Sequence, residues 1–236
     1  MRKALLATAV ASALFTAGPA IAQWKGEAGV GLVSASGNTD NSSISGTVAL
    51  SNQGPVWKHN VFADIHKAQT DGVDSANRLM LGYKADRAIN ERTYLWGALR
   101  METDDFADID RRLVGSVGAG YKVLLGPVHT LDVEAGVGYR TTNFISALPK
   151  SNEAVFILGA NYVGKLTDTV TLSQRLGLEG GKDNTLLSST TALNVKMSTN
   201  LSLSLAYIMR RNSDIVGARG KKNDSLATVN VVYSFN

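Results

Sequence analysis

The stretch LDVEAGVGYR, residues 131–140, alternates without a break. Leu131, Val133, Ala135, Val137 and Tyr139 share one parity, and Asp132, Glu134, Gly136, Gly138 and Arg140 share the other. Successive side chains of a β-strand point to opposite faces, so this segment has one apolar and one polar face. The stretch LSLSLAYIMR, residues 201–210, repeats the pattern: Leu201, Leu203, Leu205, Tyr207 and Met209 alternate with Ser202, Ser204, Ala206, Ile208 and Arg210.

Extending this reading outward predicts about twelve strands: 24–36, 42–52, 57–68, 76–86, 92–102, 109–122, 129–141, 152–166, 169–179, 185–197, 201–211 and 224–235. Most are longer than the roughly five or six residues usual in soluble sheets. They match the roughly 9–11 residues that a tilted strand needs to cross a membrane. The even-numbered connections read as tight turns, among them NQGPV around Pro55 and LGPV around Pro127. The odd-numbered ones read as mostly longer and more polar, among them TDGVDS from Thr70, DDFAD from Asp104, TNFISALPKSN from Thr142 and NSDIVGARGKKND from Asn212. Short turns on one side and longer loops on the other fit an up-and-down antiparallel transmembrane β-barrel of the outer membrane, with both termini in the periplasm.

The first residues support export. Arg2 and Lys3 precede the apolar run Ala4 to Ala17, and Ala20-Ile21-Ala22 supplies a cleavage pattern, so residues 1–22 read as a signal peptide and 23–236 as one barrel domain. Removing Arg2 and Lys3 lowers the formal net charge from +4 to +2, so charge gives no argument for nucleic acid. There is no cysteine, which excludes a disulfide framework. Beyond the leader no apolar run is long enough for a membrane-spanning helix.

The charges fall on the polar parity: Lys25, Glu27, Lys58, Asp64, Lys84, Asp86, Arg100, Glu102, Asp132, Glu134, Arg140, Arg175 and Glu179. The opposite parity carries Val30, Leu32, Val48, Leu50, Leu79, Leu81, Leu172, Leu176, Val229 and Val231. A closed cylinder turns the first set inward and the second toward lipid, and it pairs every backbone group. Trp24, Trp57, Tyr162, Tyr207, Tyr233 and Phe235 lie on the apolar face or at strand ends, as an aromatic girdle requires. Tyr94 and Trp96 fall on the lumen parity, so they either fill the interior or mark a shifted register. The inward charges either line a narrow aqueous path or interlock across a closed interior. Their nearly balanced signs predict no strong ion selectivity, and their length favours a closed or very small channel.

The segment WKGEAGVGLVSASGNTDNSSISG, residues 24–46, holds closely spaced glycines, but no helix follows and no phosphate-loop lysine is present, so it is no nucleotide motif. Its GNTDN, residues 37–41, reads as the first surface turn. Gly118, Gly120, Gly136 and Gly138 fall on the lumen parity, where small residues leave room for long charged side chains. With the alternating strands and the closing LATVNVVYSFN, the segment 24–46 resembles the YdiY-like family of salt-induced outer-membrane proteins, a domain-of-unknown-function family. That resemblance covers nearly all of 24–235. It implies an outer-membrane barrel with a link to osmotic stress, and it supplies no catalytic residue.

No catalytic, cofactor-binding or metal-binding residue is assigned, and no cofactor is expected. His59 and His66 point to opposite faces of one strand, and His129 sits at a turn. His66 is the only candidate base for a lipid hydrolase, which would also need a serine beside it. Asp104, Asp105, Asp108 and Asp110 read as a solvated loop or a weak divalent-ion site without EF-hand spacing. Residues 182–184 and 217–224, with Arg219, Lys221 and Lys222, are candidates for anionic lipid phosphates. The expected function is a non-enzymatic outer-membrane barrel, structural or a small-solute channel, with outer-membrane lipid, lipopolysaccharide and the barrel-assembly machinery as partners and no nucleic acid. The alternatives are an outer-membrane lipid hydrolase and a soluble periplasmic β-sandwich or lipid carrier.

Overall fold

The computed structural model describes residues 24–35, 40–214 and 222–235. The predicted signal peptide, residues 37–39 of the first turn, and Arg219 and Lys221 lie outside the described residues. Twelve strands follow one another: β1 Trp24–Ala35, β2 Asn41–Gln53, β3 Trp57–Thr70, β4 Val73–Ala88, β5 Thr93–Asp104, β6 Ile109–Leu125, β7 His129–Phe144, β8 Ser151–Lys165, β9 Val170–Gly181, β10 Thr185–Lys196, β11 Leu201–Asn212 and β12 Asn223–Phe235. Each pairs antiparallel with its sequence neighbours, and β12 returns to β1, closing one barrel. One closed sheet replaces the two stacked sheets that a β-sandwich would need.

Burial is inverted relative to a soluble protein. Leu32, Leu99 and Val137 are 72%, 65% and 63% exposed on the outer wall, whereas Glu102 is 0% and Arg140 2% exposed inside. Only a lipid solvent makes that distribution favourable, because apolar side chains cost nothing there and buried charges are paired. Pairing around the ring satisfies the backbone within the wall, apart from the distal part of the β1–β12 seam.

Both termini lie at one end, here the terminal end; the opposite end is distal. Turns at the terminal end are uniformly short: 54–56, 89–92, 126–128, 166–169 and 197–200. Distal connections are 36–40, 71–72, 105–108, 145–150, 182–184 and 213–222. The predicted distal loop at Thr70 is therefore corrected to a two-residue turn. Asp71 and Gly72 both take positive φ, 51° and 75°, the twist that a tight hairpin demands, so β3 and β4 run on almost to the tip. Nor is DDFAD an open loop. Asp104 Oδ1 accepts the Phe106 and Ala107 amides, and Asp108, 2% exposed, accepts the Ser146 amide (2.9 Å) and hydroxyl (2.5 Å). These contacts dock the β5–β6 turn onto the β7–β8 loop.

At the terminal rim Trp57 stacks on His59, and His59 stacks on Tyr83 and bonds its hydroxyl at 2.8 Å. His129 repeats the arrangement with Tyr162 at 2.9 Å. Phe235 of β12 covers Gly26 of β1, whose missing Cβ leaves room for that ring and for Leu50. The outer wall carries a polar cluster on β9 and β10. Gln174 Nε2 donates to Ser189 Oγ at 2.9 Å, and Thr191 Oγ1 donates to Gln174 Oε1 at 2.5 Å.

Candidate functional site: the bore

Inward-facing side chains cross the bore in two layers. The distal layer centres on Glu102 of β5. Arg210 of β11 meets it at 2.8 Å, Arg78 of β4 at 3.1 Å and Arg112 of β6 at 3.7 Å. Strands β5 and β11 stand on opposite walls of the twelve-strand ring, so the Arg210–Glu102 pair spans the whole bore. Beside it Glu179 of β9 takes Arg100 at 2.5 Å and Arg140 at 2.8 Å. Arg140 also donates to Glu153 Oε1 at 2.6 Å and to the Asn184 carbonyl at 2.6 Å. A guanidinium presents its donors in a planar fork, which lets one arginine hold two carboxylates from different strands. Buried charges are tolerated because each has such partners.

The layer nearer the termini is aromatic. Lys84 pairs with Glu134 and, at 3.1 Å, with Asp86. Tyr94 donates its hydroxyl to Glu134 at 2.7 Å, and Trp96 donates Nε1 to the Ala119 carbonyl at 3.2 Å. The Lys84 ammonium lies 5.6 Å from the centroids of both rings, within cation–π range. Tyr94 and Trp96 are thus interior fillers, and the predicted register there holds.

The four lumen glycines are corrected in role. A Cβ on Gly118 would lie 2.5 Å from Trp96 Cζ2 and one on Gly136 2.6 Å from the same atom, and one on Gly120 would strike the Tyr94 ring. A Cβ on Gly138 would instead meet the Gly115 carbonyl at 2.7 Å and Ser116 Cβ at 2.9 Å. The room at Gly118, Gly120 and Gly136 belongs to aromatic rings and at Gly138 to the neighbouring strand, not to long charged chains. Phe62 likewise covers Gly82.

His66 faces the bore, across the ladder from Ser45 on β2 and Arg78 on β4, and its Nδ1 is buried without a hydrogen-bond partner. Ser45 donates its hydroxyl to Asn230 Oδ1 at 2.8 Å rather than to His66. The hydroxyl and the imidazole are therefore neighbours without forming a nucleophile–base bond. His59 and His129 face outward. Asp183 and Asn184 are engaged with Ser151, Glu153 and Asn212 at the distal rim. Among the described residues, no group of three or more histidine or carboxylate side chains gathers as a metal site.

Parity alone could have added Arg78, Arg112, Glu153 and Arg210 to the inward charges. Which inward charges meet could not be read from sequence, since the Arg210–Glu102 contact joins residues 108 positions apart.

Twelve antiparallel strands, a lipid-facing wall and a charge-filled interior define a transmembrane β-barrel. The family model described as "Protein of unknown function, DUF481" matches residues 28–235. The chain belongs to that family. It is 26% identical over 211 residues to the uncharacterized protein YdiY of Escherichia coli (strain K12), covering 89% of this chain and 83% of that one. Among solved structures it resembles an outer membrane channel from Pseudomonas putida F1 (TM-score 0.53, 14% identity, 90% of this chain and 95% of that one). It also resembles the NanC porin (0.52, 10%, 90% and 99%). The translocator domain of the autotransporter NalP from Neisseria meningitidis is similar as well (0.51, 15%, 99% and 95%). At these identities the likeness is one of fold.

Proposed function

We infer that the chain is a non-enzymatic outer-membrane barrel whose bore is constricted to a narrow small-solute path. The single observation behind this reading is the Arg210–Glu102 pair that crosses the full bore, because a side-chain bridge between opposite walls leaves only a fraction of the cross-section. Balanced, mutually paired charges support weak ion selectivity. The outer-membrane barrels among its structural relatives support the location, and the predicted leader agrees with it. Lipopolysaccharide and the barrel-assembly machinery are the partners such a location implies. The link to osmotic stress rests on the family resemblance and is tested by comparing expression at low and high salt.

Planar-bilayer recording tests the channel. The purified protein gives small conductance steps, and Arg210→Ala enlarges them. No steps above background from either protein would leave a purely structural barrel. Cell fractionation with heat-modifiable gel migration tests the location, and a soluble pool with no mobility shift would sink it. Turnover of phospholipid by the detergent-solubilised protein, lost in His66→Ala, would replace the non-enzymatic reading with the lipid hydrolase.

A further inference from the structure

The seam that closes the barrel differs from every other strand pair. The β1–β2 ladder runs from Trp24↔Asn52 to Ala35↔Asn41, whereas the β1–β12 ladder runs only from Gly26↔Phe235 to Val30↔Val231. Distal of Val30, β1 keeps its pairing with β2, and β12 keeps its pairing with β11 as far as Asn223. Each strand thus presents an edge toward the other without a described ladder between them. In lipid such edges are costly.

Side chains hold the distal seam instead. Gly31 has no Cβ, and one placed there would sit 2.6 Å from both Ser45 Oγ and the Val229 carbonyl. Through that gap Ser45 of β2 reaches over β1 and bonds Asn230 of β12, and Asn230 Nδ2 donates onward to Thr228 Oγ1 at 3.1 Å. One hydrogen bond between hydroxyl and amide replaces several ladder bonds, each worth about 0.5–1.5 kcal/mol net. The chemistry on the two sides of the seam is complementary. Behind it, Thr228 and Asn230 of β12, Gly29 and Gly31 of β1, and Ser43, Ser45 and Thr47 of β2 carry no ionisable group, and His66 of β3 stands beside Ser45. In front of it stand Leu32, 72% exposed, with Ile44 and Val229 beside it.

We propose that the distal β1–β12 seam is a lateral portal between bore and bilayer, latched by Ser45–Asn230, which admits a single-chain amphiphile with an uncharged, hydroxylated head. The head replaces the latch, bonding Ser45, Thr228 and Asn230 and the free strand edges, and the tail lies along Leu32 and Val229 in the lipid. A charged head is disfavoured because the latch offers only the neutral groups of Ser45, Thr228 and Asn230, and the nearest cations beyond it, Arg78 and Arg210, are already held by Glu102. This reading is independent of whether the bore conducts.

The chain has no cysteine, so an introduced pair reports cleanly. Leu32→Cys with Val229→Cys places thiols across the seam. Val48→Cys with Ala63→Cys places them across the fully paired β2–β3 ladder. Both are reconstituted in phosphatidylcholine vesicles, and oxidative closure is followed on gels with and without monolaurin or sodium laurate. Monolaurin slows closure of the seam pair severalfold, laurate does not, and the β2–β3 pair responds to neither. Equal closure with and without monolaurin, equal slowing by laurate, or equal slowing of the β2–β3 pair overturns the portal. Hydrogen exchange on the unmodified protein gives a check that needs no variant. The amides of 31–35 exchange faster than those of 26–30, and equal protection overturns the proposal.

Discussion

Arg210 reaches across the bore from β11 to place Nη1 2.8 Å from Glu102 Oε1 on β5, and Glu102 simultaneously faces Arg78 and Arg112. One carboxylate therefore organises three guanidinium groups from three walls. Glu102→Gln leaves those charges short of a partner and costs about 3–5 kcal/mol, the range for breaking a buried pair. Urea unfolding in detergent micelles measures it. Arg210→Ala removes the spanning arm while Arg78 and Arg112 still compensate Glu102, so it destabilises less and widens the bore. A smaller loss for Glu102→Gln than for Arg210→Ala would contradict this arrangement.

The aromatic layer gives a cleaner coupling test. The three nearest atoms to a Cβ on Gly120 all belong to Tyr94. Gly120→Ala alone forces that ring out of place and costs about 1–3 kcal/mol, as overpacking does. In a Tyr94→Ala background the same change is nearly neutral. Additive losses in the double-mutant cycle would show that the ring does not occupy the space above Gly120.

Gly118 makes a contrasting prediction. Its Cβ would meet not only Trp96 but also the Ala135 carbonyl and Gly136 Cα of the adjacent strand. Gly118→Ala therefore stays destabilising when Trp96 is shortened to Ala, because backbone cannot move aside. Full rescue by Trp96→Ala, read from unfolding midpoints, would refute the close approach of β6 to β7.

On the outer wall, Gln174, Ser189 and Thr191 satisfy one another in the lipid-facing surface. Gln174→Leu strands two hydroxyls and costs about 1–3 kcal/mol. Replacing all three, with Ser189→Ala and Thr191→Val added, returns the stability to that of the parent or above it. A triple variant less stable than Gln174→Leu would mean that the cluster does more than satisfy itself.

The strand count and the two faces were legible because a membrane barrel repeats one rule, period-two alternation, at every position. Every predicted strand lies within three residues of its observed bounds. Turn lengths were less legible: the pair Asp71–Gly72 allows a far tighter reversal than the polar run around it suggested. The interior was legible by parity but not by pairing. Sequence placed Tyr94, Trp96, Gly118, Gly120 and Gly136 inside, yet which ring meets which glycine depends on the stagger between neighbouring strands, a property of the closed ring. The seam was silent for the same reason, since the edge that β12 offers β1 exists only after closure.

The ring of Phe235 seated over Gly26 ties the closing residues of the barrel to its opening ones. This contact cannot form until β12 has joined the ring, so it reports closure rather than hairpin formation. A variant lacking the Phe235 ring would keep the ladder from Glu27↔Ser234 to Val30↔Val231 yet leave Gly26 bare. Closed and unclosed molecules therefore differ physically at one spot on the terminal rim.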